Sequence, residues 1–260
     1  MKLLHLFVAS FSLSLRVSLA HRVNLVFDLG QSLITIATVL ATTLVVYQHT
    51  NVLAGWSRSD IVVLTGIYAL ISGIYGSFID PNLSTFVGTI RNGSLDDALL
   101  RPAPSWFTTT CREHAPAALG KSVVGLGVIV VGVRHLPHLP DPLNIVAGAV
   151  LVGEAVVITW SLSLIIASLG FWAGRFELAP LTASLWDVGR YPTNAYHQPL
   201  RIVVGYLLPV AGMITLPSTA LTRNDPLVPV LIGSALTVGF IAVAVFVFRQ
   251  GLKRYTGASS

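Results

Sequence analysis

Residues 61–79 read IVVLTGIYALISGIYGSFI, nineteen positions without a formal charge. A helix of that length rises about 28 Å at 1.5 Å per residue, close to the hydrocarbon thickness of a bilayer. This stretch is a membrane span, and the chain is read outward from it. Upstream, the 29 residues between Asp28 and Arg58 carry no formal charge, and Leu29 to Tyr47 is their apolar part. Downstream, Ser122 to Val133 is uncharged but too short to cross. It reaches spanning length as Ala115 to Leu136, with Lys121 snorkelling to an interface. Leu143 to Gly174 is long and holds one acid, Glu154. Ile202 to Thr222 contains Pro209, Gly212 and Pro217, and Pro226 to Phe248 is clean. The reading is an all-α integral membrane protein with six spans and both termini on one side.

Composition agrees. Of 260 residues only 16 are Lys or Arg and 11 are Asp or Glu, so 10% are charged, against about 25% in a soluble domain. The apolar share is 53% and the mean hydropathy +0.76. A disordered chain, a disulfide scaffold and a soluble enzyme are excluded, and the single Cys111 leaves no intrachain bridge.

The net charge of +5 is explained by topology rather than by nucleic acid. With the termini in the cytoplasm, the inner segments hold Lys2, Arg16, Arg22, Arg91, Arg101, Arg112, Lys121, Arg175, Arg190, Arg201, Arg249, Lys253 and Arg254. The outer loops hold Arg58, Arg134 and Arg223. Thirteen against three is a positive-inside bias, and acidic headgroups of the inner leaflet are a sufficient partner. The N-terminus mimics a signal peptide ending at Ser18-Leu19-Ala20, but Arg16 sits beside the apparent cleavage site. Leu4, Phe7, Phe11 and Leu15 recur at helical spacing, with Ser10, Ser14 and Ser18 on another face. That pattern predicts an amphipathic helix lying on the inner leaflet.

Asp80 to Arg112 is the largest polar insertion. Asp80-Pro81-Asn82 starts a helix with proline in its first turn. Leu83, Phe86, Val87 and Ile90 line one face, and Gly93 ends the helix in the left-handed conformation. Ser94-Leu95-Asp96-Asp97 resembles a capping box opening a second helix through Leu99-Leu100-Arg101, which Pro102 and Pro104 stop. Two such helices either lie on lipid or dock a soluble partner.

Thr89-Ile-Arg-Asn-Gly-Ser-Leu-Asp-Asp-Ala-Leu-Leu-Arg-Pro102 resembles the IR-x-G-x-LD-x-x-LLRP loop signature of a bacterial family of ABC type 2 exporter permeases. The likeness continues at Ser18–Arg22, at Ser168-Leu-Gly-Phe-Trp172 with Arg175, at Gly189-Arg-Tyr-Pro192, Leu200-Arg201 and Leu208-Pro209-Val210, and at Gly251–Tyr255. Thr193-Asn194-Ala195 departs from the family's hydrophobic-Asp-hydrophobic triplet. The resemblance implies one permease domain over 1–260. It comprises an elbow helix in 1–27, spans one and two in 28–79 and a cytoplasmic coupling loop in 80–114. Spans three and four follow in 115–174, a cytoplasmic loop in 175–201, spans five and six in 202–249 and a cytoplasmic tail in 250–260. It further implies a second permease subunit, in a homo- or heterodimer, and two separate ATPase subunits that bind the ATP and magnesium. This chain itself would bind no cofactor and catalyse nothing. The complex would sit in the bacterial inner membrane and move a drug, lipid or peptide outward. Coupling to the ATPase would fall on Asn82, Phe86, Val87, Ile90, Arg91, Gly93, Leu95, Asp96, Leu99, Leu100, Arg101 and Pro102, with the apolar stripe filling a groove of the ATPase.

Other features have plainer readings. Gly120-Lys121-Ser122 lacks the upstream glycine and strand of a phosphate-binding loop. His135, His138 and Asp141 are interleaved with prolines, which favours a solvated outer turn over a metal site. Glu154, about 18 Å into the fourth span, is either a pathway acid or a hydrogen-bonded packing residue. Pro209, Gly212 and Pro217 mark either a gate or a plain kink, and the resemblance implies that Thr215 to Pro226 re-enters the membrane from outside. Phe171, Trp172, Trp186, Tyr191, Tyr196 and Tyr206 read as an inner aromatic belt. A secondary transporter is the competing reading, but it calls for an inverted repeat and several intramembrane ionisable groups. The charge bias predicts a retained cytoplasmic N-terminus. Sequencing the mature protein should begin before His21; a start at His21 would make 1–20 a leader.

Overall fold

The computed structural model describes residues 2–20, 22–50, 52–96, 104–173, 186, 188–207, 209–223 and 225–255. Among them the chain is helical throughout, apart from one isolated bridge between Leu53 and Trp56. Helix α1 spans Lys2–Ala20 and α2 spans Arg22–His49. A tight turn follows, in which Leu53 and Trp56 exchange backbone bonds of 3.0 and 2.9 Å and Ala54 and Gly55 take positive φ. Helix α3 (Arg58–Ile74) opens on a complete capping box: Asp60 N–H donates to Ser57 Oγ, and Ser57 N–H to Asp60 Oδ2.

Helix α3 does not stop at the expected boundary. It passes through a π turn (Tyr75–Ile79) into α4 (Asp80–Arg91) with helical backbone angles throughout. Pro81 explains the widened turn. It has no N–H to offer the carbonyl of Ser77, and that carbonyl instead accepts from Ala115 N–H at 2.9 Å. The chain continues through α5 (Ser105–Thr110), a 3₁₀ turn at Pro116–Ala118 and α6 (Leu119–Arg134). Next come α7 (Pro142–Ser168), α8 (Gly170–Ala173), α9 (Gln198–Ile202), α10 (Val210–Thr222) and α11 (Leu227–Arg254).

Among the described residues five stretches are long and apolar enough to cross a membrane: Leu25–His49, Arg58–Ile90, Pro116–Arg134, Pro142–Trp172 and Leu227–Arg254. The expected fifth of six, Ile202 to Thr222, is not a continuous helix. A π turn at Val203–Leu207 and a break at Pro209 divide it, leaving α10 with 13 residues. Of the expected re-entrant stretch, Thr215 to Thr222 is helical and completes α10, whose end is tied to α7 by Asn144, which donates to the carbonyls of Ala220 (2.9 Å) and Arg223 (2.6 Å).

The core is built from α3, α7 and α10. Val63, Leu64, Ile67 and Ile71 meet Ala155, Ile158, Leu162, Met213 and Ile214. Around it, α2, α6 and α11 keep their apolar side chains outward: Phe27, Val123, Leu231 and Val238 are all exposed. That is the arrangement expected where lipid covers a helix. The closest packing joins α3 to α6. A Cβ at Gly66, Gly73, Gly125 or Gly132 would lie 2.6–2.9 Å from a backbone nitrogen of the other helix. Each helix spaces its two glycines seven residues apart, so they share one face and let the backbones touch. Ser122 donates across this contact to the carbonyl of Leu70 at 2.8 Å. Gly127, on the same helix, has nothing within 4 Å. Gly125→Ala should therefore destabilise the fold by about 1–3 kcal/mol through overpacking, whereas Gly127→Ala should be neutral or stabilising by up to about 1 kcal/mol. Thermal unfolding of the two purified variants in detergent checks the contrast.

Candidate functional site

The helix α4 lies below the core, and its apolar stripe faces inward. Phe86 is 2% exposed and packs on Phe171 and Phe248, with ring centroids 5.9 Å apart in each case. Leu83 and Leu95 join the same cluster with Leu164, Ala167 and Ala244, and Val87 and Ile90 pack at its edge. Leu95 N–H donates to Tyr255 Oη at 3.1 Å. This corrects the expected orientation. Amphipathic spacing shows that one face is buried, and here the inner ends of α7, α8 and α11 bury it, so no stripe remains for an ATPase groove. The face left open carries Ser84, Thr85, Asn92 and Ser94, which are exposed, and Gly88, whose missing Cβ would meet nothing within 4 Å.

The end of α4 follows the sequence closely. Gly93 takes φ +67, Gly93 N–H donates to the Ile90 carbonyl and Ser94 N–H to that of Thr89, which makes a Schellman motif. Asp96 is half-buried. Leu99, Leu100, Arg101 and Pro102 lie outside the described residues, as does the side chain of Arg91.

Asn82 also has an internal role. It is 2% exposed, and its amide donates to the carbonyls of Phe78 (2.8 Å) and Glu113 (2.7 Å). Its Oδ1 accepts from the backbone of Arg112 and Glu113, both at 2.7 Å. One side chain thus closes the loop, joining the start of α4 to the irregular stretch that returns toward α6. The elbow helix α1 seals this junction. Phe7 and Phe11 stack on Phe78 and meet the ring of His114, whose Nε2 lies 3.0 Å from Ser10 Oγ. Burial pushes the His114 pKa down, favouring the neutral ring. Burial likewise pushes the Cys111 thiol up, so it is held as an unreactive thiol.

Glu154 is a packing residue by geometry. Ser234 Oγ donates to its Oε1 at 2.6 Å across the α7–α11 contact. Its Oε2 is buried without a hydrogen-bond partner and fills the notch left by Gly233, where a Cβ would collide with it. Pro209 and Pro217 are both fully buried, and Gly212 sits so close to the Gly205 carbonyl that a Cβ would lie 2.5 Å from it.

Residues 188–207 are placed differently from expectation. The sequence sets 175–201 below the membrane, and residues 174–185 lie outside the described residues. Beyond them the chain runs beside mid-helix residues. Trp186 packs on Tyr75 and Tyr68, with centroids 4.7 and 6.2 Å away, instead of lying in an interfacial belt. Arg190 Nε reaches Tyr68 Oη at 3.4 Å, and Tyr68 is about 15 Å along α3 from Arg58. Thr193 N–H donates to Thr215 Oγ1 at 3.1 Å. Arg201 lines a small cavity of about 50 Å³ with Gly205, Gly212, Thr215, Ile232 and Leu236. Lys121 also turns inward rather than snorkelling: its Nζ donates to Ser72 Oγ at 3.0 Å and lies 5.4 Å from the Tyr68 centroid. Sequence reading missed this grouping because Arg190 and Lys121 are 69 positions apart. Their only local signal is a cation flanked by apolar residues.

These features define a multi-pass membrane protein that is all-helical among the described residues, with a helical segment packed after its second span. The model of the ABC-2 family transporter proteins matches residues 33–259, and the chain belongs to that family. It is therefore a permease component of an ATP-binding-cassette transporter, and such transporters work with ATPase partners. No curated protein matches the chain. No solved structure matches it. Since the Glu154 contact to Ser234 survives an amide, Glu154→Gln should keep most transport, its carbonyl oxygen still accepting from Ser234. Normal assembly and ATP hydrolysis with transport lost would assign the carboxylate to the pathway instead.

Proposed function

We propose that this chain is the membrane subunit of an ATP-driven exporter, moving an amphipathic or hydrophobic molecule outward across the bacterial inner membrane. Two copies, or this chain and a related one, stand side by side on two ATPase subunits that bind ATP and magnesium. Both termini lie in the cytoplasm, and the divided segment 198–222 completes the sixth crossing. The loop 80–114 couples the two parts. Arg101 holds its second helix or meets an acid of the ATPase.

One observation carries the coupling role: α4 is a rigid continuation of α3, locked onto α8 and α11 through Phe86 and Leu95. A push on α4 from below reaches the centre of the core along one helical rod, and reaches α11 through the Phe86–Phe248 contact. The contact surface for the ATPase is the open polar face at Ser84, Thr85, Gly88, Asn92 and Ser94, since the apolar face is already used. A small polar surface of this kind suits a reversible interface better than a fixed one.

The two faces of α4 separate the outcomes. Thr85→Arg should cut co-purification of a co-expressed ATPase by about tenfold, the scale of one disrupted interface contact, without lowering thermal stability. Phe86→Ala should cost about 3–5 kcal/mol of folding stability with or without the ATPase. If Thr85→Arg retains the ATPase and transports at the wild-type rate, this face is not the docking surface.

A further inference from the structure

Two cavities lie one above the other in the crevice between α2 and α3. The inner one, about 370 Å³, is lined by Asp28, Gln31, Ser32 and Thr35 of α2, by Ser72, Gly73 and Gly76, and by Lys121 of α6. The next, about 220 Å³, is lined by Thr38, Thr42, Thr43 and Tyr47 of the same helix, by Thr65 of α3, and by Arg190 and Tyr191. Helix α2 therefore contributes successive turns of one hydroxyl-bearing face to both cavities. The spacing 28, 31/32, 35, 38, 42 is helical, and it places polar groups on the crevice side of a helix whose opposite side bears Val26, Phe27, Leu33 and Ile34.

Lys121 of the inner cavity and Arg190 of the next approach the same ring, that of Tyr68. Lys121 Nζ lies 5.4 Å and Arg190 Cζ 6.0 Å from the centroid of this one ring. Lys121 is half-buried and Arg190 exposed, and cations gathered on one aromatic ring beside a spanning helix mark the path of a charged ligand. Lys121 uses one of its three N–H donors on Ser72, which orients the ammonium. The acid that faces this region is Asp28, at the inner end of the first cavity; Asp187 lies outside the described residues. Helix α2 is the least buried of the spanning helices, with 6% of its apolar window enclosed, so the crevice opens sideways to lipid.

Resting on the reading of the chain as a permease for an amphiphile, we infer that the Lys121–Tyr68–Arg190 cluster binds the anionic headgroup of a phospholipid-like molecule. The headgroup sits in the polar crevice and the acyl chains lie along the lipid-facing side of α2. Lys121 receives the headgroup in the inner cavity and Arg190 holds it in the next one. The hydroxyls of Thr38, Thr42 and Thr65 already donate to carbonyls one turn back, which leaves the headgroup to the two cations and does not trap it.

The test uses the full chain alone in detergent micelles, so it does not depend on ATPase docking. Probes are dihexanoylphosphatidylglycerol, dihexanoylphosphatidylcholine and inorganic phosphate, with binding read by native mass spectrometry and by quenching of Trp186, which stacks beside the cluster. A Trp186→Phe control isolates that signal. The anionic lipid should bind, the zwitterionic one at least about tenfold more weakly, and inorganic phosphate should not compete at equal concentration. Lys121→Gln and Arg190→Gln should each weaken binding of the anionic lipid by about tenfold, and Lys121→Arg should restore it. Equal binding of the two lipids overturns the charge assignment, and so do unchanged affinities in both Gln variants. Competition by inorganic phosphate overturns the assignment to an amphiphile. A failure here leaves the ATPase co-purification result for Thr85→Arg untouched.

Discussion

A bilayer offers no water to a helix that loses a hydrogen bond, so every backbone group within it must be met from inside the chain. Pro81 creates that demand at the foot of the longest helix. The freed carbonyl of Ser77 is met by Ala115 N–H, and one position further Asn82 takes four more bonds from Phe78, Arg112 and Glu113. These contacts fix where the chain leaves the membrane after α3 and where it returns before α6. With both ends of the loop pinned, α4 has one direction available, and its apolar face is pressed onto α7, α8 and α11. The α3–α6 glycine contact depends on the same pinning, because the position of Ala115 sets the register in which Gly73 meets Ser122.

The arrangement separates rigid from loosely held parts. Helices α3, α7 and α10 interlock through buried aliphatic side chains, and packed cores of this kind move as bodies rather than deform. Helix α2 touches that unit lightly, and among its described side chains only Ile36 is buried. The same chain thus holds a stiff rod able to carry force and a flanking helix able to yield.

Much of the architecture was legible in the sequence. Charge-free runs marked the spans because a bilayer penalises charge wherever it falls. Gly93 announced its own left-handed conformation, and Pro209 its break. What stayed illegible was direction. The stripe at Leu83, Phe86, Val87 and Ile90 shows that something covers it, but helical periodicity is blind to whether the cover is the same chain or another. Lys121 and Arg190 misled for a related reason. A cation near a span end reads as interfacial unless Tyr68 and Ser72, distant in sequence, are known to stand beside it. Removing Lys121, Arg190 and Arg201 from the inner group leaves ten basic residues there against three outside, so the orientation signal did not hang on them.

The turn between α2 and α3 carries a consequence for how the chain is made. Its fold is finished by Arg223, which lies over the Trp56 ring at 5.6 Å and reaches the Gly55 carbonyl, 168 positions away in the chain. A ribosome delivers the α2–α3 hairpin long before it delivers that arginine. Until α10 has been synthesised and inserted, the outer rim of the first hairpin stays open, and the indole of Trp56 has no cation above it. Assembly of the outer face is therefore a late event that reports on the whole bundle. A chain whose α10 fails to insert is left with an unclosed rim at its first hairpin.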